Sequence, residues 1–347
     1  MKLLRALFIL ACAASAALSL ARCGGGKATK TVVVYSPHGT EIEAEIKARF
    51  EAKNPGWTVQ FIDLAGATIL DKVRAEKTRP GADVWWGGMP GDFRKAEAEG
   101  LLAPYAPEWS AKLPADAKSA GGMWHATWRT PEVLMYNSKK LSREEVPTAW
   151  EGLLDPKWKG RVVIRDVRGS ATMRTIFGSM IWREGKRTGN VEDGFAFLKK
   201  LDENTGAYAA TSQVLNELLA ADGPLAITPW NYADAQLQKN HNHLPFDYVL
   251  PKDTPVLYEP IALVKDGPNA EGAKLFYDFV TSRDELLWQA EKFDRIPARP
   301  DIEPAELPAG MREDLAALQP LAVDWAELDA HGEEWISRWQ SEIRTKK

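Results

Sequence analysis

The stretch Val32-Val33-Val34-Tyr35-Ser36-Pro37-His38-Gly39-Thr40 decides the fold. Its first four residues form a continuous apolar run, mostly β-branched, which is typical of a strand buried on both faces of a parallel sheet. Apolar residues then recur at four-residue spacing over residues 42–50, which predicts an amphipathic helix. Thr40 is the expected N-cap of this helix, and Asn54-Pro55 is the expected stop.

The same alternation of strand and helix continues along the chain. Further strands are predicted at residues 57–64, 82–86, 161–164, 225–228 and 261–264. Further helices are predicted at residues 69–77, 93–99, 192–201, 212–220 and 273–280, with another that begins near residue 171. Because this order implies right-handed crossovers, the predicted fold class is α/β with two sheets. Extended segments at residues 128–136 and 249–258 are the expected crossings between two lobes.

The N-terminus predicts export. Residues 1–5 are short and basic, and residues 6–21 are apolar, which is the layout of a secretory signal. A transmembrane anchor is the alternative, but the apolar run is short for a bilayer span, and Arg22 interrupts it. Leu20-Ala21-Arg22-Cys23 resembles the lipobox of bacterial lipoproteins, although a small residue is usual where Arg22 stands. The resemblance implies a signal peptide at residues 1–22, lipidation of Cys23 and a flexible tether at residues 23–30.

Composition and motifs narrow the class of protein. The chain has 347 residues, enough for roughly two domains, and its hydrophobic content of 45% is ordinary for a soluble globular protein. A formal net charge of -4 argues against a nucleic-acid partner, which would require a basic surface. The sequence contains no HExxH, GxSxG or GxxxxGK[ST] motif, so we expect neither an enzyme nor a bound cofactor. His241 and His243 lack partners at metal-ligand spacing, and no metal site is expected.

The candidate ligand-binding residues cluster where predicted strands end. In open α/β sheets, ligands bind beyond the carboxyl ends of the strands. Glycines at strand ends let a ligand approach the backbone amides closely. The start of a helix favours binding of an anion. Arginines such as Arg165 offer paired N–H donors that match a carboxylate or a phosphate. Each feature also has a purely structural explanation as a turn, a cap or a surface residue, and only their combination favours a ligand site. The candidates are Ser36, His38, Gly39, Thr40, Trp86, Gly87, Gly88, Arg129, Arg168, Ser170, Ala171, Thr172, Trp230, Asn231 and Tyr232.

Several phrases of the sequence resemble a known family. They are Val33-Val34-Tyr35-Ser36-Pro37-His38, Ala82-Asp83-Val84-Trp85-Trp86-Gly87-Gly88, Trp150-Glu151-Gly152-Leu153-Leu154-Asp155-Pro156 and Glu259-Pro260-Ile261-Ala262-Leu263-Val264. Over about residues 30–300 the chain resembles the bacterial extracellular solute-binding proteins of ABC importers, which have the type II periplasmic-binding fold.

The resemblance implies two lobes, each a mostly parallel sheet flanked by helices, that close on a solute about a hinge. The first lobe would comprise residues 31–127 with 257–347, and the second residues 128–256. A monomer that delivers its solute to a membrane permease is the implied mode of action.

The resemblance allows two classes of ligand, ferric iron and a small organic anion. The iron-binding branch uses a histidine, a glutamate and two adjacent tyrosines. Here His38 matches the histidine, but Gly88 or Met89 stands at the glutamate position and Asn231-Tyr232 at the tyrosine pair. Because ferric iron favours anionic oxygen donors, a small organic anion such as a phosphorylated sugar or a phosphonate is the predicted ligand, with ferric iron as the alternative. An exported phosphate-ester hydrolase and a ligand-presenting sensor are the alternatives from other classes.

Overall fold

The computed structural model describes residues 30–344, so the predicted signal peptide and Cys23 lie outside the described residues. The strands are β1 (Lys30–Ser36), β2 (Trp57–Asp63), β3 (Val84–Trp86), β4 (Leu102–Ala103), β5 (Trp124–Asn137), β6 (Val162–Arg165), β7 (Thr205–Ala209), β8 (Ile227–Asn231), β9 (Phe246–Val249) and β10 (Val256–Val264). They pair in the order β2-β1-β3-β10-β5-β8-β6-β7, with β4 beside β10 and β9 beside β5.

Helices cover the faces of this sheet system. They are α1 (Thr40–Lys53), α2 (Gly66–Ala75), α3 (Pro90–Ala98), α4 (Ala171–Thr188), α5 (Glu192–Asn204), α6 (Ser212–Ala220), α7 (Tyr232–Gln236), α8 (Ala270–Val280), α9 (Arg283–Phe293), α10 (Ala309–Ala317) and α11 (Trp325–Glu342). No helix between residues 30 and 344 is both long enough and apolar enough to span a bilayer.

The first strand and helix show why these residues adopt this fold. Val32 and Val34 are fully buried on one face of β1, and Tyr35 enters a separate apolar cluster on the other face. The predicted doubly buried strand is therefore confirmed. The prediction of Thr40 as N-cap is wrong: the helix begins at Thr40, and Gly39, with a φ of 86°, occupies the cap position without a side-chain hydrogen bond.

Strand β5 joins the two sheets, and together with its partner β10 it forms the pair of crossing strands. β5 is 14 residues long; its first part pairs antiparallel with β10, and its last part pairs antiparallel with β8 and β9. Parallel pairing links β1 to β2 and β3 in one half of the molecule, and β6 to β7 and β8 in the other. Both sheets are therefore more mixed than the mostly parallel sheets that we predicted, because the crossing strands run antiparallel to their neighbours.

The C-terminal helix α11 packs against helices of the half of the molecule that contains β6 and β7. The rings of Trp339 on α11 and Phe177 on α4 pack edge to face with centroids 4.9 Å apart. Arg338 on α11 forms a two-pronged ion pair with Glu192 on α5 at 2.7 Å. Asp329 on α11 also forms an ion pair with Arg94 on α3, so α11 contacts both halves of the molecule. An amphipathic helix shows in its sequence that it packs, but not on which lobe. The lobe boundaries stay predictions.

Candidate ligand-binding site

A cavity of about 270 Å³ lies between the two halves of the molecule. Its walls come from strand-end loops of both sheets, and its floor comes from the crossing strands β5 and β10. The lining residues are Pro37, His38, Asp63, Leu64, Ala65, Gly66, Gly88, Thr130, Arg165, Gly169, Ser170, Ala171, Thr172, Ser212, Trp230, Asn231, Asp234, Leu257, Glu259 and Arg295. We refer to this cavity as the cleft.

Two helices from opposite walls begin at the cleft. Helix α2 starts at Gly66 and helix α4 at Ala171, and both residues line the cavity. Ser170 caps α4, because its Oγ accepts a hydrogen bond from the amide of Met173 at 3.3 Å. The first amides of a helix lack partners within the helix and carry the positive end of its dipole. The two helix starts therefore make the cleft suitable for an anion.

Arg165 adds a positive charge to the same wall. It ends strand β6 and lines the cleft, and its buried Nε has no hydrogen-bond partner among residues 30–344. Burial lowers the pKa of the guanidinium, although arginine stays protonated at physiological pH. A desolvated guanidinium that is already poor in partners would gain from an anionic ligand.

The floor of the cleft carries carboxylates next to a second arginine. Thr130 donates a hydrogen bond to Glu259 Oε1 at 2.5 Å, and Arg295 Nη1 lies 3.9 Å from the same oxygen. Arg295 Nη2 lies 4.0 Å from Asp234 Oδ1. Burial raises the pKa of the Glu259 carboxyl, while Arg295 acts against that rise. Because both ion pairs are long, Arg295, Asp234 and Glu259 can each still bind a ligand.

His38 is held rigidly beside Glu259. Its ring packs against the rings of Trp86 and Trp128, with centroid distances of 4.6 Å to each. Its Nδ1 lies 3.7 Å from Glu259 Oε2, and its Nε2 is buried without a hydrogen-bond partner among the described residues. Burial, together with the charge of Arg295, lowers the pKa of His38 well below its usual value. The imidazole is therefore neutral near pH 7 and offers a hydrogen bond rather than a charge.

The structure brings part of the predicted site together. The candidates that line the cleft are His38, Gly88, Ser170, Ala171, Thr172, Trp230 and Asn231. Asn231 fixes one wall of the cleft, because its Nδ2 donates to Thr172 Oγ1 at 3.2 Å and its Oδ1 accepts from the amide of Asp234 at 2.9 Å. Whether these residues bind a ligand stays a prediction.

Other candidates support the cleft from behind. Trp86 is fully buried and donates its indole N–H to Thr127 Oγ1 at 3.1 Å, so it does not line the cleft. Ser36 is buried, and its Oγ accepts a hydrogen bond from the amide of His38 at 3.2 Å. Gly87 has a φ of 95° and leaves the space that the His38 ring occupies.

Gly39, Thr40 and Tyr232 also lie away from the cleft. Gly39 and Thr40 form the start of α1, and Thr40 lines a separate surface depression. The buried hydroxyl of Tyr232 donates to Asp314 at 3.0 Å and accepts from Gln236 at 2.8 Å. Its phenol is therefore already committed within the fold.

The arginines that line the cleft are Arg165 and Arg295, and not the predicted Arg129 and Arg168. Arg129 precedes Thr130 on β5, and successive side chains of a strand point to opposite faces. Thr130 lines the cleft, and Arg129 consequently lines a different cavity. Arg168 is exposed and also lies in another cavity. Arg165 could have been predicted because it ends strand β6, whereas Arg295 comes from the loop after α9 and has no signal in the sequence.

Among residues 30–344, no group of three or more histidine, cysteine, aspartate or glutamate side chains is arranged to hold a metal ion. The acidic residues that sequence reasoning missed are Asp63, Asp234 and Glu259. Asp63 could have been found by the strand-end rule, because it ends strand β2.

The sequence of this chain is similar to those of known binding proteins. The family model described as bacterial extracellular solute-binding protein matches residues 90–328. A probable ABC transporter periplasmic-binding protein, y4fP, of Sinorhizobium fredii is 30% identical over 90% of this chain and 87% of its own length. A Salmonella typhimurium periplasmic protein named for binding 2-aminoethylphosphonate is 27% identical over 90% of this chain and 92% of its own. Iron uptake protein A1 of Synechocystis is 25% identical, over 74% and 73% respectively.

Solved structures agree on the fold. The periplasmic binding protein P5PA superposes with a TM-score of 0.76 at 25% identity, covering 90% of this chain and 99% of that one. The ferric binding protein from Campylobacter jejuni superposes with a TM-score of 0.75 at 19% identity, covering 89% and 98%. The predicted two-lobed periplasmic-binding fold is confirmed.

Proposed function

Because the chain belongs to the bacterial extracellular solute-binding proteins and is the substrate-binding component of an ABC importer, we propose that its solute is a small phosphorus oxyanion. A phosphonate or a phosphate monoester would bind in the cleft and be delivered to the membrane permease by a monomer. The protein is a periplasmic or extracellular binding protein and not an enzyme.

The observation that carries the proposal is the convergence of two helix starts on one cavity. Gly66 at the start of α2 and Ala171 at the start of α4 face the same space, with Arg165 beside them. A tetrahedral oxyanion has enough acceptor oxygens to take hydrogen bonds from both walls at once. Binding it would therefore hold the two walls together, which is how a hinged binding protein closes on its ligand.

The carboxylates in the cleft constrain the other end of the solute. Asp63, Asp234 and Glu259 line the cavity, against two arginines, Arg165 and Arg295. A solute with only negative charge would meet a wall whose own net charge is negative. We therefore favour a solute whose second end donates hydrogen bonds, through an ammonium group or through sugar hydroxyls. 2-Aminoethylphosphonate, for which the Salmonella relative is named, has this combination and is the first compound to test.

Ferric iron is the competing cargo, since one relative is named for iron uptake. Against it, the hydroxyl of Tyr232 is engaged with Asp314 and Gln236 rather than turned toward the cleft. The cleft contains His38 and three carboxylates, but among residues 30–344 no three such side chains are arranged to hold a metal ion. These contacts favour the organic anion.

Calorimetric titration of ligand-free protein tests the proposal. 2-Aminoethylphosphonate, ethylphosphonate, glucose 6-phosphate and ferric citrate would be titrated separately into the parent chain, Arg165→Gln and the control Arg143→Gln. Arg143 is exposed on the surface and does not line the cleft. We expect at least one phosphorus oxyanion to bind, and to bind Arg165→Gln about 10- to 150-fold more weakly, as the loss of a charged hydrogen bond implies. Tight ferric binding without a response to any phosphorus oxyanion would overturn the proposal.

We further propose that the protein is tethered to a membrane through a lipid on Cys23. The sequence around Cys23 is the support for this step. Mass spectrometry of the mature chain should show a lipidated cysteine, and Cys23→Ser should move the protein from the membrane fraction to the soluble fraction. A parent chain found only in the soluble fraction contradicts the tether.

A further inference from the structure

A second cavity lies on the opposite face of the crossing strands. Its volume is about 560 Å³, larger than that of the cleft. We call it the rear cavity, and its lining residues are Asp116, Arg129, Val256, Tyr258, Leu318, Pro320, Leu321, Ala322, Val323, Asp324 and Trp325. It plays no part in the function proposed above.

The alternation of side chains along a strand separates the two cavities. On β10, Leu257 and Glu259 line the cleft, whereas Val256 and Tyr258 line the rear cavity. Arg129 of β5 is paired opposite Tyr258 in the antiparallel register. Directly paired residues of neighbouring strands point to the same face, so these two side chains meet in the rear cavity.

Arg129 is a cation without a partner. It forms no ion pair and no side-chain hydrogen bond with any residue between 30 and 344, and its Nε is buried. Burial accordingly lowers the pKa of its guanidinium. An unpaired guanidinium that has lost part of its hydration is costly, and an anion placed on its fork would recover that cost.

The acidic residues nearby do not neutralise it. Asp324 accepts hydrogen bonds from the amides of Ala326 and Glu327 at 3.1 Å and so caps α11. Asp116 is exposed and lies beyond ion-pair distance of Arg129. Because two carboxylates rim the cavity, a monoanion is better suited to it than a dianion such as phosphate.

The remaining wall is apolar. Residues 318–324 connect α10 to α11, and they contribute Leu318, Leu321 and Val323, which are partly exposed like Trp325 at the start of α11. This segment is anchored, since Leu321 donates its amide to the carbonyl of Thr254 at 2.8 Å and Thr254 donates its own to Gln319 at 3.1 Å. A fixed apolar wall opposite a guanidinium suits a ligand with a charged end and an apolar body.

We propose that the rear cavity binds a small organic monocarboxylate. Its carboxylate lies on the guanidinium of Arg129, and its apolar body packs against Leu321, Val323 and Trp325. The site is distinct from the cleft and does not depend on which solute the cleft takes.

Titration with phenylacetate tests the proposal, with phenylacetamide as the neutral compound of matched shape. Phenylacetate should bind the parent chain saturably. Phenylacetamide should bind the parent chain about tenfold or more weakly than phenylacetate does, because it lacks the charge. Phenylacetate should bind Arg129→Gln about tenfold or more weakly than it binds the parent chain. Val323→Asp provides a second variant, which leaves Arg129 in place and repels a carboxylate. Thermal unfolding would show that both variants are folded.

Two control variants locate the binding. Arg165→Gln alters the cleft only, and Arg143→Gln alters the surface only, so neither should change the affinity for phenylacetate. The proposal is overturned if the parent chain shows no saturable binding, if the amide binds as tightly as the acid, or if Arg165→Gln rather than Arg129→Gln weakens binding.

Discussion

Substitution of Gly87 by alanine tests how the cleft is built. A Cβ at this position would lie 2.4 Å from both Cε1 and Nε2 of His38 and 2.9 Å from Cδ of Pro37. The His38 ring cannot easily move away, because Trp86 and Trp128 pack against it. The backbone of Gly87 also has a φ of 95°, which L-residues rarely adopt.

The expected magnitude follows from these two costs. A left-handed backbone costs an alanine about 1–2 kcal/mol. Overpacking against a fixed ring costs about 1–3 kcal/mol more. Alanine reduces the entropy of the unfolded chain, which returns about 0.4–1 kcal/mol. Gly87→Ala should therefore lower the free energy of unfolding by about 1–5 kcal/mol.

Gly189→Ala is the matched control. Gly189 ends α4 with a φ of 81°, and a Cβ there meets nothing within 4 Å. This variant carries the backbone cost alone, so urea denaturation should show Gly87→Ala to be less stable than Gly189→Ala by about 1–3 kcal/mol. Adding His38→Ala to Gly87→Ala should recover most of that difference. If the two single variants are equally stable, His38 does not occupy the space that Gly87 leaves.

Three further predictions concern buried residues. Burial beside Glu259 and Asp234 raises the pKa of the Glu132 carboxyl. Glu132→Gln should therefore gain stability relative to the parent chain as the pH rises from 5 to 8, by at most about 1.4 kcal/mol per pH unit. A difference in unfolding free energy that stays constant with pH in urea denaturation would contradict this. Burial lowers the pKa of His38, so the parent chain should lose stability relative to His38→Gln as the pH falls below 6.5, by at most about 1.4 kcal/mol per pH unit. Unfolding free energies of the two proteins that change in parallel with pH would refute this prediction. Trp339→Ala should lower the unfolding free energy by about 3–5 kcal/mol, and the control Trp335→Ala, which is only partly buried, by clearly less; equal losses would contradict the packing of α11.

Local patterns predicted much of the fold. The apolar run at residues 32–35 and the four-residue spacing that follows are properties of short segments, and the structure confirms both elements. Strand β7 was not predicted, because Thr-Gly-Ala-Tyr-Ala has little strand character of its own. It forms because it pairs in parallel with β6, which is a tertiary effect. The same holds for the place of α11, which depends on its partners and not on its own sequence.

The site was predicted in part, for a physical reason that β5 illustrates. The rule that ligands bind at strand ends led to His38, Gly88 and the start of α4, all of which line the cleft. Arg129 was selected wrongly for the cleft because nearly every residue of β5 is buried. A strand buried on both faces shows no alternation of polar and apolar residues, so its sequence does not reveal which side chains face which way.

The two faces of the crossing strands make a further prediction about coupling. Thr130 and Glu259 face the cleft, and Arg129 and Tyr258 face the rear cavity, although they are neighbours in sequence. If these strands change their twist when a ligand binds in one cavity, the other cavity changes as well. If phenylacetate favours one arrangement of the lobes, it must change the affinity for the cleft solute, and the cleft solute must change the affinity for phenylacetate by the same factor. Calorimetric titration of each compound in the presence and absence of the other measures both changes in affinity. If neither affinity changes, the crossing strands do not couple binding on their two faces.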